Sequence, residues 1–317
     1  MNNAKAAPAP RQIGPLTVFF LLIAGLIYSL LFPINRIATE NGVPALGHVM
    51  WMSLGGAALM LTTCMVRRKM PRLGRRYLLI YFVGGALSIA VPMTLLTLAA
   101  PLLPSSIIAM IVVLSPFLSY MFALPLKLER FRWLSLAGLL CAMGGVLLIL
   151  LPETSLPEPG MVGWVLLSLL ASVSFAAFNV FIDFYSPPEE VGLQLATGIL
   201  FTAGLMMLPI AAIAGEFHLF PGPSAEGDLA VLYAALINVA RWSLTFIIIR
   251  MAGAVFVSQA AYIIVLGGFG WQALLFSSTV SAYIWAAAAL LLLGLAVNTM
   301  SKMHQQRAAR PRYRNSI

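Results

Sequence analysis

The sequence predicts an all-α integral membrane protein of ten transmembrane helices, arranged as two inverted five-helix repeats. Three observations predict it. Only 9% of the 317 residues are charged and 61% are hydrophobic, whereas a soluble domain carries roughly 25% charged residues. The uncharged runs are each about one or two bilayer widths long, at roughly 20 residues per helical span. Finally, short motifs of the first half recur in the second at an offset drifting from about 145 to 152 residues, close to half the chain.

Ionisable residues bound the spans. Residues 12–35 give the first helix and 44–66 the second. The run 77–126 exceeds one span, so Pro101 and Pro104 mark a turn between the third and fourth helices, because proline lacks the N–H that continues a helix. Residues 133–151, 161–182, 191–214 and 229–250 give the fifth to eighth helices. The run 252–300 is again too long for one, and the polar cluster Ser277, Ser278, Thr279 and Ser281 separates the ninth from the tenth. The layout is an N-terminal tail over 1–14, repeats over 15–152 and 159–301, and a basic tail over 302–317. The apolar run 14–31 is too long for a signal peptide and is closed by no small-residue cleavage site, so it reads as a membrane helix.

The net charge of +9 is read through the excess of Lys and Arg in cytoplasmic loops of membrane proteins, not through nucleic acid, which is not an expected partner. Arg67, Arg68, Lys69, Arg72, Arg75 and Arg76 follow the second helix, and Lys127, Arg130 and Arg132 follow the fourth. Lys302, Arg307, Arg310, Arg312 and Arg314 follow the tenth. With ten spans all of these fall on the side of Lys5 and Arg11. The opposite loops carry Glu153, Glu158, Glu216, Glu226 and Asp228, with Arg36 as their basic residue. Both termini are therefore expected in the cytoplasm, across a bacterial-type inner membrane. Cys64 and Cys141 sit in apolar segments, which argues against a disulfide framework or a zinc site. His48, His218 and His304 are scattered, and no His-Glu-x-x-His helix or Walker loop is present. An enzyme would need paired acids, a metal set or an activated nucleophile. Neither an enzyme nor a cofactor is expected. The expected partners are a small-molecule substrate and the bilayer, for a monomer or a homodimer.

The repeat is visible in Val112-Val113-Leu114-Ser115-Pro116-Phe117 against Ile264-Val265-Leu266-Gly267-Gly268-Phe269, and in 139–146 against 289–296, with Gly144 opposite Gly294. Five spans is an odd number, so the halves insert with opposite orientation, a build used by secondary transporters with their site between the halves.

Leu114-Ser115-Pro116-Phe117, a short loop with Glu129-Arg130, then Gly138 and Gly144-Gly145-Val146 together resemble the signature of the drug/metabolite transporter superfamily, EamA-like branch. Asn35 and Pro44 fit that family's opening segment, and the resemblance covers about 15–301. It implies a transporter whose central cavity is lined by helices 1, 3, 4, 6, 8 and 9. The chain departs from the pattern in places: Gly267-Gly268 stands for Ser115-Pro116, Thr279 for Glu129, and Met50-Trp51-Met52 where an arginine is often found. The resemblance therefore implies an architecture and not a substrate.

Arg241 is the residue that points to chemistry. It sits near the middle of the eighth helix, with no Asp or Glu within seven residues. An arginine at that depth costs on the order of 2.5–3.5 kcal/mol on insertion scales, so it must face protein or a water-filled cavity. One reading is a substrate contact; the other is a purely structural bond to neighbouring carbonyls. Residues three and four apart share a helix face. Asn238 and Thr245 stand beside Arg241; Tyr262 shares a face with Ser258 next to Gln259; Asn179 aligns with Ser172 and Asp183; and Tyr28, Phe32 and Asn35 align on the first helix. The candidate substrate-binding set is Arg241, Asn238, Gln259, Tyr262, Asn179, Tyr28, Phe32 and Trp242, with Thr94 and Met110. Arg36 and Asp183, near opposite helix ends, are candidate gates or interface charges. Lone Ser and Thr are expected to bond their own backbone.

A planar guanidinium suits two-oxygen anions, so the expected activity is export or exchange of a small anionic or zwitterionic metabolite by alternating access. The alternative on the same fold is a flippase of a phosphate-bearing lipid carrier. Acidic residues and histidine are absent from the helix centres, which favours facilitated movement or exchange over proton symport. Gly84-Gly85, Pro92 and Gly267-Gly268-Gly270 suit bending or close packing. Gly138 with Ala142, and Ala282 with Ala286, suit tight contacts of helices 5 and 10.

Overall fold

A computed structural model describes residues 14–128, 131–150, 161–185, 192–252, 254–257, 259–276 and 281–308. Among them the chain forms ten helices and no strand. They are α1 (Pro15–Glu40), α2 (Ala45–Val66), α3 (Arg75–Ala99), α4 (Ser105–Ala123), α5 (Trp133–Leu150), α6 (Met161–Tyr185), α7 (Leu193–Ile213), α8 (Ala225–Ala252), α9 in two pieces (Ala254–Val257 and Ala260–Phe276) and α10 (Ala282–Ala308). Seven are long and apolar enough to cross a membrane, and α5, α9 and α10 contribute shorter apolar stretches. The expected separator at Ser277, Ser278 and Thr279 lies outside the described residues, as do Glu129-Arg130, Glu153, Glu158, Ser258, Lys5, Arg11, Arg310, Arg312 and Arg314.

Helix starts follow local chemistry. α1 begins at Pro15, where the missing N–H is no loss. It runs beyond Asn35, because Arg36 and Glu40 form a 2.7 Å ion pair one turn apart and carry the helix to Asn41. In the same way Glu226 and Asp228 extend α8 at its start, where acidic side chains favour the helix dipole. Charges next to a span thus lengthen it instead of ending it.

Two helices are broken where the chain cannot complete its α ladder, and a third is bulged. α3 contains a π-helical turn at Ala86–Ala90, just before Pro92, which has no N–H to offer one turn back. α4 divides into Ser105–Val112 and Ser115–Ala123 around Pro116. There the backbone tightens: Leu114 N donates to Ile111 O at 3.0 Å and Phe117 N to Leu114 O at 3.0 Å. The same pair recurs 145 residues later, Gln259 N to Phe256 O at 3.1 Å and Tyr262 N to Gln259 O at 3.2 Å, without a proline. The inverted repeat is therefore carried in space by the breaks near 114 and 259, not by the motif pairing of 112–117 with 264–269.

α2 packs on α7 and α8, α1 on α8 and α9, and α5 almost wholly on α10. A Cβ on Gly138 would lie 2.7 Å from the Gly294 carbonyl oxygen, and one on Gly294 would lie 2.5 Å from that of Gly138, so the two backbones touch. Ala142 faces this contact as expected, fully buried. Ala282 and Ala286 do not: both are exposed, and Ala287, Leu291 and Gly294 meet α5 in their place. Gly267 packs on Ser29 and Gly268 on Ala109, so these glycines serve close packing of α9 against α1 and α4.

The face opposite the start of α1 is closed by the segment 214–224. Trp51 Nε1 donates to His218 O at 2.7 Å, and Leu46 N donates to Glu216 Oε2 at 3.1 Å. His218 Nε2 lies 2.7 Å from Asp228 Oδ1, and His48 Nε2 lies 3.0 Å from Asn35 Oδ1. We call this the loop face and the other, carrying Arg67 to Arg76, the basic face.

Candidate functional site

A cavity of about 280 Å³ opens within the bundle, lined by residues of α1, α3, α4, α6, α8 and α9. These are the six helices the resemblance implied. Arg241 enters it from α8, sixteen residues from that helix's start, or about 24 Å at 1.5 Å per residue. Its guanidinium carbon stands 4.6 Å from the ring centre of Tyr28 and 4.8 Å from that of Trp242. Asn238 Oδ1 accepts from Arg241 Nη2 at 3.3 Å, while Asn238 Nδ2 donates to Ala234 O at 3.1 Å. Arg241 Nε is buried without a hydrogen-bond partner, and no carboxylate pairs with the group among the described residues. Five N–H donors in a rigid fork are thus held by two ring faces, the Asn238 amide oxygen and a hydrogen bond with the Tyr28 hydroxyl. The rings offset the burial of charge through their π faces and leave in-plane donors for oxygens brought in from outside.

The irregular helices form the opposite wall. Ser115 and Pro116 at the break of α4, and Val257 and Ala260 at the break of α9, all line the cavity. Carbonyls beside the irregular backbone also accept from α6: Ser172 Oγ donates to Ile111 O, and Ser174 Oγ donates to Leu87 O at 2.8 Å. These two serines bridge helices, unlike Ser29, Ser53, Ser88 and Ser119, which bond their own turns as expected. Asn179 lines the cavity and donates to Ser119 Oγ at 3.1 Å.

Toward the basic face the cavity is bordered by Asn179, Thr245, Ile248 and Val257. Toward the loop face, one to two turns further along their helices, Phe32, Met50, Met93, Ile107 and Met110 are at most 1% exposed and form a solid plug.

The structure brings Arg241, Tyr28, Trp242 and Asn179 to the cavity and places the other candidates elsewhere. Asn238 is fully buried behind Arg241 and orients it. Phe32 and Met110 belong to the plug. Thr94 turns to α7, with its hydroxyl 3.8 Å from Met207 Sδ. Gln259 supplies backbone to the α9 break, and Tyr262 is half-buried against the core, off the lining. Arg36 lies at the loop-face end of α1, paired with Glu40 and 4.1 Å from the ring centre of Phe276. Asp183 is exposed near the opposite end of α6. Lining residues outside the candidate set include Ser88, Ser115, Phe175, Phe178 and Thr245. Phe175, Phe178 and Asn179 follow helical spacing, a signal that an apolar background hides.

Residues 15–151 match the model of the EamA-like transporter family. The match covers a little under half of the chain and is consistent with the drug/metabolite transporter superfamily. Together with the seven helices long and apolar enough to cross a membrane, the match indicates a multi-pass membrane protein similar to a family of small-molecule transporters. No curated protein matches the sequence. A solved structure described as "Crystal structure of protein" superposes over 89% of this chain and 98% of its own, with a TM-score of 0.59 at 19% identity. That likeness extends the shared fold into the second half.

Proposed function

We propose that the protein is a secondary transporter that moves a small anionic or zwitterionic metabolite by alternating access, as an exporter or exchanger. The observation that carries this is Arg241: a guanidinium at half depth, without a carboxylate partner among the described residues, facing a cavity of about 280 Å³. A carboxylate or phosphate docks on its two in-plane donors, and Tyr28 and Trp242 form the aromatic wall. Asn238 holds the fork in place, and Asn179 offers an amide from the far side. The cavity volume suits a small solute better than the head of a lipid carrier. The plug toward the loop face, with Asn179 and Thr245 toward the basic face, supports access from the basic side in this reading. With both termini cytoplasmic, as the Lys and Arg distribution indicates, that side is the cytoplasm of a bacterial-type cell. Exchange or facilitated movement fits a cavity lined by no acid or histidine.

The test is uptake into proteoliposomes across a panel of anionic, zwitterionic and cationic metabolites, with wild type and Arg241→Gln. Selective loss for substrates bearing a carboxylate or phosphate is expected. Equal loss for anions and cations sinks the proposal. Uphill uptake driven by a pH jump alone rejects the exchange reading.

A further inference from the structure

A second opening lies at the basic face, and transport through the central cavity makes no use of it. α2 packs against both α7 and α8, but α7 and α8 scarcely touch each other. Near the basic face they leave a groove of about 630 Å³. Arg67 at the end of α2, Lys69 just beyond it and Arg250 in the last turn of α8 stand around it, all exposed. Its wall on α8 is apolar, formed by Phe246, Ile247 and Ile249. No carboxylate lines the groove, and none pairs with these three cations among the described residues. The rings of Trp242 and Phe246 stack 5.8 Å apart at 22°. Trp242 faces the central cavity and Phe246 faces the groove, so the stack divides one from the other.

We propose that this groove binds the headgroup of an anionic phospholipid from the leaflet on the basic face. Arg67, Lys69 and Arg250 hold its phosphate, and its acyl chains run along Ile247 and Ile249. Depth supports this: the cations mark the ends of α2 and α8, where the apolar stretch gives way to headgroups, and basic pockets between helices at that level suit acidic lipids. Charge supports it too. A zwitterionic lipid would bring an ammonium to a groove whose described lining holds three cations and no acid. A free anion would leave the apolar wall uncovered.

The test is native mass spectrometry of the full chain in detergent, titrated with phosphatidylglycerol, phosphatidylcholine or glycerol 3-phosphate. Phosphatidylglycerol adducts are expected to persist and phosphatidylcholine adducts to be lost. At about fivefold per positive side chain near an anionic surface, Arg67→Gln/Lys69→Gln/Arg250→Gln weakens phosphatidylglycerol binding about 100-fold. Arg68→Gln/Arg75→Gln/Lys127→Gln removes the same charge from the same face and leaves binding unchanged. If the first triple variant does not fold, Arg250→Gln alone is expected to lose about fivefold. Arg241→Gln keeps full lipid binding, which separates this site from the transport site. Equal binding of the two lipids, or equal loss in the two triple variants, overturns the proposal. Displacement of the lipid by glycerol 3-phosphate at equal concentration also overturns it, in favour of a soluble anion.

Discussion

Two helix pairs of this protein meet along much of their length on opposite terms. α5 and α10 touch backbone to backbone at Gly138 and Gly294, and residues such as Ala142, Ala287 and Leu291 close the seam. α1 and α8 pack along a comparable length, yet part around Tyr28 and Arg241 to leave a cavity. In a bilayer both surfaces of a helix meet apolar surroundings, so association relies on close packing and on polar groups that find partners. The first pair is built on close backbone packing at small residues. The second carries a charge whose donors are only partly taken up by the protein. The difference teaches that close packing and the buried cation are housed in separate helix pairs, so each can be changed while the other is spared.

The largest expected effect is on transport. Arg241→Gln should lower uptake of an anionic substrate about 100-fold, the loss of a charged hydrogen-bonded contact worth about 2–3 kcal/mol. Its thermal midpoint in detergent should hold or rise, because a buried cation has been removed. If Arg241 instead held the bundle together, stability would fall by about 3–5 kcal/mol, as when one partner of a buried pair is deleted. Next, Gly294→Val should destabilise the fold by about 1–3 kcal/mol or more through overpacking, since even a Cβ meets the Gly138 carbonyl oxygen. A variant melting like wild type would break the contrast between the two pairs. Asn238→Leu removes the one amide that orients the guanidinium. KM should rise about tenfold, in line with a hydrogen bond worth about 1–1.5 kcal/mol, and kcat should change less. An equal fall in kcat with KM constant would assign Asn238 another role. The smallest effect is that of Tyr28→Leu, expected to weaken substrate binding about threefold as a ring face worth about 0.5–1 kcal/mol is lost. Tyr28→Phe keeps the ring face but loses the hydroxyl bonded to Arg241, so a smaller loss than that of Tyr28→Leu is expected, and an equal loss would move the interaction from ring to hydroxyl.

Much of the architecture was legible because the bilayer imposes length. Uncharged runs near 20 residues had to be spans, and prolines at 101 and 104 had to interrupt a ladder. Arg241 stood out for the same reason: a charge deep in an apolar run must find a cavity or a partner. The lining was less legible. Thr94, Met110 and Phe32 share helices with true lining residues but turn toward α7 or into the plug. Ser172 and Ser174 looked like ordinary self-bonded serines and instead donate to carbonyls of the broken α4 and the bulged α3.

The sequence alone determined the membrane class, the ten helices, the two-fold internal repeat and the one cation that must be kept from lipid. Only the tertiary structure decided which flank of each helix faces the cavity, where α9 breaks without a proline, and that α5 seeks Gly294 and not Ala282 or Ala286. The physical reason is that lipid and protein interior are both apolar. A soluble helix marks its buried side by hydrophobic periodicity, whereas α2, α5, α8, α9 and α10 carry almost none, and small residues and backbone defects become decisive only once the helices are in contact.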